Sequence, residues 1–137
     1  MIAYRPASDA VRVLFSLGPG NVDSDWVVRG LRSLRRHLSG AVILLWDGLP
    51  AHRSAHTRRH VQAQHRWLQL ERLPAYAPEL NPVEAMWANL SARELANLCP
   101  ETLDELATHV RRGVRRLRRH VNLGYAFLKH SGLFPEL

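Results

Sequence analysis

The stretch Ala41-Val-Ile-Leu-Leu-Trp-Asp-Gly-Leu-Pro50 decides the fold. Its apolar part, residues 41–46, is too short for a helix and is flanked by breakers, which is typical of a strand buried on both faces. Residues 67–73 alternate like a further strand, and Ser54 can cap a polar helix over 54–66 between the two strands. A helix flanked by two strands predicts a parallel βαβ unit, and therefore an α/β fold.

Upstream of this unit, the sequence predicts a hairpin and one helix. Residues 10–17 are rich in β-branched and large apolar types, and a turn cluster separates them from a short strand, which gives a hairpin over 1–17. After a break at 18–21, Asp23 is placed as the N-cap of a helix over 24–39. Gly40 is placed to close that helix as its C′ residue.

Downstream, the chain is helical after a proline-rich loop. Asn81, Pro82 and Glu84 have the cap, first and third positions of a helix start. A second capping box opens at Thr102, and apolar residues at steps of three and four then predict a long helix. We expect C-terminal helices within 82–130 and a single domain over 1–137, with no dividing linker.

Composition excludes several classes of protein. Cys99 is the single cysteine of 137 residues, so neither a disulfide framework nor a C-x-x-C metal knuckle can form within the chain. The longest apolar run is far below the ~20 residues that span a bilayer, so a membrane protein is not expected. The first residues lack the pattern of a secretory signal, and we expect a cytoplasmic protein.

The charge of the chain indicates a partner. The net charge is +7, and arginine supplies 18 of the 19 basic residues. Arginine binds phosphate bidentately and stacks on bases, which favours a nucleic-acid partner. GC-rich coding also explains arginine in place of lysine, but it leaves the net charge unexplained.

Two acids are candidates for chemistry. Asp47 leaves the carboxyl end of strand 41–46, where open parallel sheets place their ligands, although Asp-Gly is also ordinary turn chemistry. Glu84 lies in the first turn of a later helix, and the 36 residues between them leave room for helix, strand and loop to bring it back to the same sheet edge. Such a pair would suit Mg²⁺, which is held by one or two carboxylates and activates water or a hydroxyl for phosphodiester displacement. The third helical position is equally where a purely structural glutamate belongs.

The two segments that carry these acids resemble a known family. Residues 46–54, Trp-Asp-Gly-Leu-Pro-Ala-His-Arg-Ser, and residues 73–87, with the pattern P-x-Y-x-P-x-L-N-P-x-E before Trp87, are similar to the second and third acidic motifs of the DDE transposases of bacterial insertion sequences in the mariner superfamily. The resemblance implies a ribonuclease H-like fold, with Asp47 and Glu84 as the second and third metal-binding acids. It also implies two Mg²⁺ or Mn²⁺ ions and hydrolysis and strand transfer of DNA at transposon ends.

One departure from the family pattern concerns the first acid. In the family this aspartate lies on the first, central strand, upstream of a hairpin like that of residues 1–17, and no residue here occupies its place. We therefore expect an N-terminally truncated fold that lacks the central strand. The sequence predicts a sheet with a gap, a direct pairing of the hairpin with strand 41–46, or a strand supplied by another chain.

Other residues are candidates for contact with DNA. His52 follows Asp47 closely enough to approach a scissile phosphate, or it is an exposed loop histidine. His56 and His60 have helical metal-ligand spacing but no third ligand. The arginine-rich helix face fits phosphate contact or is simply solvated. The candidates within the motifs and on this face are His52, Arg53, Tyr76, Asn81, Arg111, Arg112, Arg115 and Arg116.

Two functions from different classes remain open. The first is a transposase catalytic domain or fragment that acts on transposon inverted repeats, as a homodimer or with another transposase chain, such as a frameshifted upstream product, that supplies the first acid. The second is a catalytically inactive remnant that at most binds DNA or dimerises.

Overall fold

The structure, a computed structural model, describes residues 1–18 and 20–133; Pro19, in the predicted break, and residues 134–137 of the expected domain lie outside the described residues. The strands are β1 (Ile2–Arg5), β2 (Ala10–Val13), β3 (Val42–Trp46) and β4 (Leu68–Arg72). The α-helices are α1 (Ser24–His37), α2 (Pro50–Arg53), α3 (Ala55–Ala63), α4 (Pro82–Leu90), α5 (Leu103–Arg119) and α6 (Val121–His130). Pro6–Ser8 and Pro78–Leu80 form 3₁₀ turns, and Ser91–Leu95 form a π-helical turn.

These elements divide into two compact units. The central unit comprises residues 18–77, with α1, β3, α2, α3 and β4. The terminal unit comprises residues 1–17 and 78–133, with the hairpin and the C-terminal helices.

The hairpin of the terminal unit is antiparallel and in register from Ile2 opposite Val13 to Arg5 opposite Ala10. Its turn closes at Asp9, which has φ 41°. This left-handed conformation is one that a short polar side chain tolerates better than most. The predicted hairpin thus has a compact, locally bonded turn.

Helix α1 begins where a side chain satisfies its first free amides. The Asp23 carboxylate accepts a 2.7 Å hydrogen bond from the backbone N–H of Trp26. The helix ends at His37, earlier than the sequence predicts, with Leu38 as its C-cap. Gly40, at φ 82°, therefore lies two residues past the cap and not at C′.

Strands β3 and β4 form a parallel pair in the central unit, joined through α2 and α3. Ser54 caps α3 by accepting a 3.1 Å bond from Thr57 N–H. The predicted helix over 54–66 is shorter than expected, since α3 ends at Ala63, and it is preceded by the separate turn of α2.

The prediction that strand 41–46 is buried on both faces is wrong. Trp46 is buried on one face of β3, whereas Ile43 is 64% exposed and Leu45 is 37% exposed on the other. The register places these two opposite Gln69 and Glu71 of β4, which are polar and exposed. An apolar run looks the same whether one face or both are covered, so the sequence could not separate the two cases.

The strands described by the structure form two ladders of two strands each, β1–β2 and β3–β4. A complete five-stranded sheet is not seen within residues 1–18 and 20–133, and neither is the pairing of the hairpin with β3 that the sequence left open. No helix within the described residues is long and apolar enough to cross a membrane.

The core of the terminal unit joins the hairpin to three helices. Thr102 caps α5 by accepting from Glu105 N–H at 3.2 Å, and the apolar stripe of this amphipathic helix faces inward. The buried cluster consists of Val13, Met86, Leu90, Val110, Val114, Leu117 and Phe127. Trp87 lies beside it, in edge contact with Phe15 at 5.3 Å between ring centroids.

An ion pair fastens the π-helical turn to α5. Arg116 donates from Nε to Glu94 Oε1 at 2.6 Å and from Nη2 to Glu94 Oε2 at 2.9 Å, and Nη2 also reaches Asn89 Oδ1 at 2.8 Å. Gly113 permits this approach, because a Cβ there would lie 2.9 Å from the Glu94 carboxylate. The bidentate pair is therefore part of the packing between these elements.

Candidate active site

Asp47 lies directly after β3, at the carboxyl end of the parallel pair. Its Oδ1 accepts a 3.1 Å bond from Leu49 N–H, which is an Asx turn, and lies 2.8 Å from Nδ1 of His52. The side chain is 41% exposed, and no donor among the described residues is bonded to its second oxygen. Asp47 therefore shapes the turn with one oxygen and leaves the other open to a ligand.

Two contacts hold the His52 side chain beside Asp47: the approach of its Nδ1 to the Asp47 carboxylate, and ring stacking on Trp46. Its ring stacks on Trp46 with centroids 4.4 Å apart and planes 7° from parallel. Its side chain is only 16% exposed, so the alternative of an exposed loop histidine is wrong. A proton on Nδ1 would donate to Asp47 and leave Nε2 as the remaining ring nitrogen for another partner.

Glu84 lies in the first turn of α4, at the position where a capping box would use its side chain. Asn81 caps the helix by accepting from Val83 N–H at 3.1 Å. The backbone N–H of Asn81, however, donates to the Pro78 carbonyl at 3.0 Å, so it is already satisfied without the glutamate. Within the described residues the exposed Glu84 carboxylate has no hydrogen-bond or ion-pair partner, and the capping alternative does not account for it.

The two acids belong to different units: Asp47 to the central unit and Glu84 to the terminal unit. Among residues 1–18 and 20–133, no group of three His, Cys, Asp or Glu side chains is arranged to hold a metal ion. His56 and His60 are not part of such a group among these residues. Nε2 of His56 lies 3.3 Å from Oδ1 of Asp25.

The remaining motif residues have varied surroundings. Arg53 is exposed in α2. Tyr76 is fully exposed and has φ 59°, so its ring projects into solvent from a left-handed backbone position. The Asn81 side chain is occupied by its cap bond, which gives it a structural role at the start of α4.

The arginine face of α5 is only partly free. Arg111, Arg112 and Arg115 are exposed, as the periodicity predicts. Arg116 departs from this group because its guanidinium is held by Glu94, whose hydrogen bonds lower the pKa of the glutamate and raise that of Arg116. The Arg116 guanidinium is therefore bound to Glu94 within the fold and is not presented to a ligand.

The donor atoms fit a hard divalent cation in type. Asp47 and Glu84 each offer a carboxylate oxygen that has no partner among the described residues, and carboxylates are the ligands that Mg²⁺ and Mn²⁺ prefer. A divalent ion held by carboxylates is suited to metal-assisted phosphodiester chemistry, in which it would activate the attacking oxygen and stabilise the leaving one.

Comparison with known proteins agrees with this class. Residues 9–107 match the family model described as DDE superfamily endonuclease, and the chain belongs to that family. The fold matches the crystal structure of the catalytic domain of Mos1 mariner transposase, with TM-score 0.54 and 16% sequence identity over 83% of this chain. The chain spans 64% of that structure's chain. Comparison with curated proteins gives no significant match.

These findings confirm the predicted ribonuclease H-like fold and the resemblance to mariner-related DDE transposases. They support a transposase-type function, and divalent metal use and DNA binding are general properties of such a family. The individual roles of Asp47 and Glu84 stay predictions.

Sequence reasoning missed the partner of His52. Its signal was present, because Pro50 starts a helical turn that returns residue 52 towards residue 47. The pairing of Glu94 with Arg116, 22 positions apart, had no local signal.

Proposed function

We propose that the chain is a transposase catalytic domain that cleaves and joins DNA at transposon ends, with Asp47 and Glu84 as its metal-binding acids. The observation that carries the proposal is that both acids lie within the matched family region and keep carboxylate oxygens without a partner in the part of the chain that the structure describes. Mg²⁺ or Mn²⁺ is the proposed cofactor, and two ions are proposed for an intact site. Bound there, such an ion would activate the attacking oxygen and stabilise the leaving one.

His52 is proposed as a positioning residue for Asp47. Stacking on Trp46 restricts the imidazole, and its Nδ1 then fixes the rotamer of the Asp47 carboxylate at 2.8 Å. A carboxylate whose one oxygen is held in place loses less side-chain entropy when the other oxygen binds a ligand. In this proposal His52 orients Asp47, and the exposed residues Arg53 and Tyr76 are the candidates for contact with DNA.

The exposed arginines 111, 112 and 115 of α5 are proposed to contact backbone phosphates. The proposed partners are transposon inverted repeats and a second transposase chain, as a homodimer or as the source of the first acid. A cytoplasmic location stays a prediction.

The proposal is tested by nicking of supercoiled plasmid in Mg²⁺ or Mn²⁺. We expect nicking by the unmodified chain, as a homodimer or together with a second transposase chain that supplies the first acid, and its loss, by about 100-fold or more, in Asp47→Asn and Glu84→Gln under the same conditions. Glu79→Gln is the matched control, because it removes an exposed acid close to Glu84 in sequence. Loss of nicking in the control as well, or retention in both acid variants, would contradict the assigned roles.

A second function, the inactive remnant, is favoured by one observation: no group of three metal-ligating side chains exists among the described residues. It predicts that no variant, nor the unmodified chain, nicks DNA in either metal, while DNA binding persists. The same assay, read beside a binding measurement in EDTA, separates the two functions.

A further inference from the structure

The central unit contains an open cleft between α1, the C-terminal end of α3 and the start of β4. Its volume is about 360 Å³, within the size range of ligand sites. Its lining residues are Leu31, Arg32, Arg35, His60, Gln64 and Trp67. All six belong to the central unit, and none is among the residues assigned above to catalysis or to DNA contact.

The polar groups of the cleft are arranged as donors. The Arg35 guanidinium lies over the Trp67 ring, 4.9 Å from its centroid, which orients the guanidinium plane. Its other hydrogen bond among the described residues is a long one, 3.4 Å to the Gly40 carbonyl, so most of its N–H groups have no partner there. Trp67 donates from Nε1 to Gln64 Oε1 at 2.7 Å, which leaves the amide N–H₂ of Gln64 as a donor.

No carboxylate lines the cleft or pairs with its arginines within the described residues. In the central unit, Asp47 and Asp25 pair with histidines, and Asp23 caps α1. Burial first, and then the charges of Arg32 and His56, lower the pKa of His60. Residues 18–77 carry nine arginines and four acids, a net charge of +5.

We propose that this cleft binds a backbone phosphate of DNA, with the Arg32 and Arg35 guanidiniums and the Gln64 amide as donors and Trp67 as the surface that orients Arg35. Two guanidiniums on one helix face, separated by three positions, match the several oxygens of one phosphate. The cleft would be a second point of DNA attachment, formed by residues other than those assigned above, and the choice of DNA as its ligand rests on the proposed function.

The test measures DNA binding by the full chain in EDTA, where cleavage cannot occur. Fluorescence anisotropy of a labelled duplex is followed from about 50 to 200 mM salt. For Arg32→Gln/Arg35→Gln we expect affinity to fall by about tenfold and the slope of log K against log salt to flatten by about one, as for one lost phosphate contact. Arg35→Lys keeps the positive charge but loses the guanidinium that stacks on Trp67. Its DNA affinity should therefore lie between those of the unmodified chain and Arg32→Gln/Arg35→Gln.

The matched control is Arg29→Gln/Arg36→Gln, which removes the same charge from exposed positions of α1 outside the cleft. The control should leave the slope near that of the unmodified chain. Equal losses in the two double variants would overturn the proposal, because net charge alone would then explain binding. Circular dichroism spectra of all variants check that each is folded.

Inorganic phosphate distinguishes the two sources of this chemistry. Titrated at millimolar concentrations, it should shift the Trp67 indole N–H resonance only weakly and compete poorly with DNA. Strong phosphate binding together with equal DNA affinity in both double variants would assign the cleft to the free anion and refute the DNA proposal.

The outcome is separable from that of the proposed function. If the chain nicks DNA but Arg32→Gln/Arg35→Gln binds DNA like the control variant, only the cleft proposal is refuted. If the chain does not nick DNA but Arg32→Gln/Arg35→Gln lowers the affinity as expected, only the catalytic proposal is refuted.

Discussion

The ion pair between Glu94 and Arg116 should make a large contribution to the stability of the terminal unit. Replacing Arg116 by Met leaves a carboxylate that is 11% exposed without its bidentate partner. Breaking a fully buried pair in this way costs about 3–5 kcal/mol. Since the Arg116 side chain is itself 23% exposed, water can reach the site, and we expect about 2–3 kcal/mol.

The assay is urea unfolding followed by circular dichroism. With a slope of about 1.5 kcal/mol/M, the Arg116→Met midpoint should fall by about 1.5 M. Arg115→Met, at an exposed position of the same helix, is the control and should change stability by less than about 0.5 kcal/mol. A loss in Arg116→Met no greater than in this control would refute the reasoning.

Acid provides an independent check of the same pair. Hydrogen bonds from Arg116 lower the pKa of Glu94 below its ordinary value of 4.5. The stabilisation from its ionised form is therefore complete above about pH 4.5 and is lost as the pH falls through the lower value in the folded state. The stability difference between the unmodified chain and Glu94→Gln should shrink below that pH, and a constant difference would contradict the assignment.

Three further predictions concern packing and capping. Gly124→Ala should destabilise by about 1–3 kcal/mol, because its Cβ would lie 2.5 Å from Val11 Cγ1; adding Val11→Ala should recover part of the loss in a double-mutant cycle. Thr102→Ala removes the cap bond to Glu105 and should cost about 1 kcal/mol in thermal unfolding, while an unchanged midpoint would show that the cap is dispensable. Leu117→Ala, at a side chain 1% exposed, should cost about 2–5 kcal/mol in chemical denaturation, and a cost below 1 kcal/mol would mean that the site collapses around the deletion.

Local chemistry made part of the fold predictable. Asp23, Ser54 and Thr102 each cap the helix that the sequence assigned to them, because a cap depends on residues within one helical turn. The alternation of residues 67–73 likewise marks β4, since its apolar and polar faces differ.

What depends on distant contacts could not be predicted. The exposure of Ile43 depends on what covers β3, and a uniform apolar run contains no information on that. The π-helical turn after Leu90 contains Glu94, whose side chain binds Arg116 of α5, and no helical periodicity encodes that distant contact.

The candidate sites, too, were predictable only where a local sequence motif marked them. The motif pattern singled out Asp47 and Glu84, and the fold leaves oxygens of both acids open. The cleft beside Trp67 was not foreseen, because it joins residues of two helices and a strand start that have no common motif.

Gly113 has a consequence for how homologous sequences can diverge. Any side chain at this position meets the Glu94 carboxylate, so the glycine is constrained only while a long acid occupies position 94 and Arg116 holds it there. Loss of the acid removes the barrier, and alanine then becomes the better helix former by about 1 kcal/mol. Positions 94, 113 and 116 should therefore change together across a family alignment, as one unit of covariation.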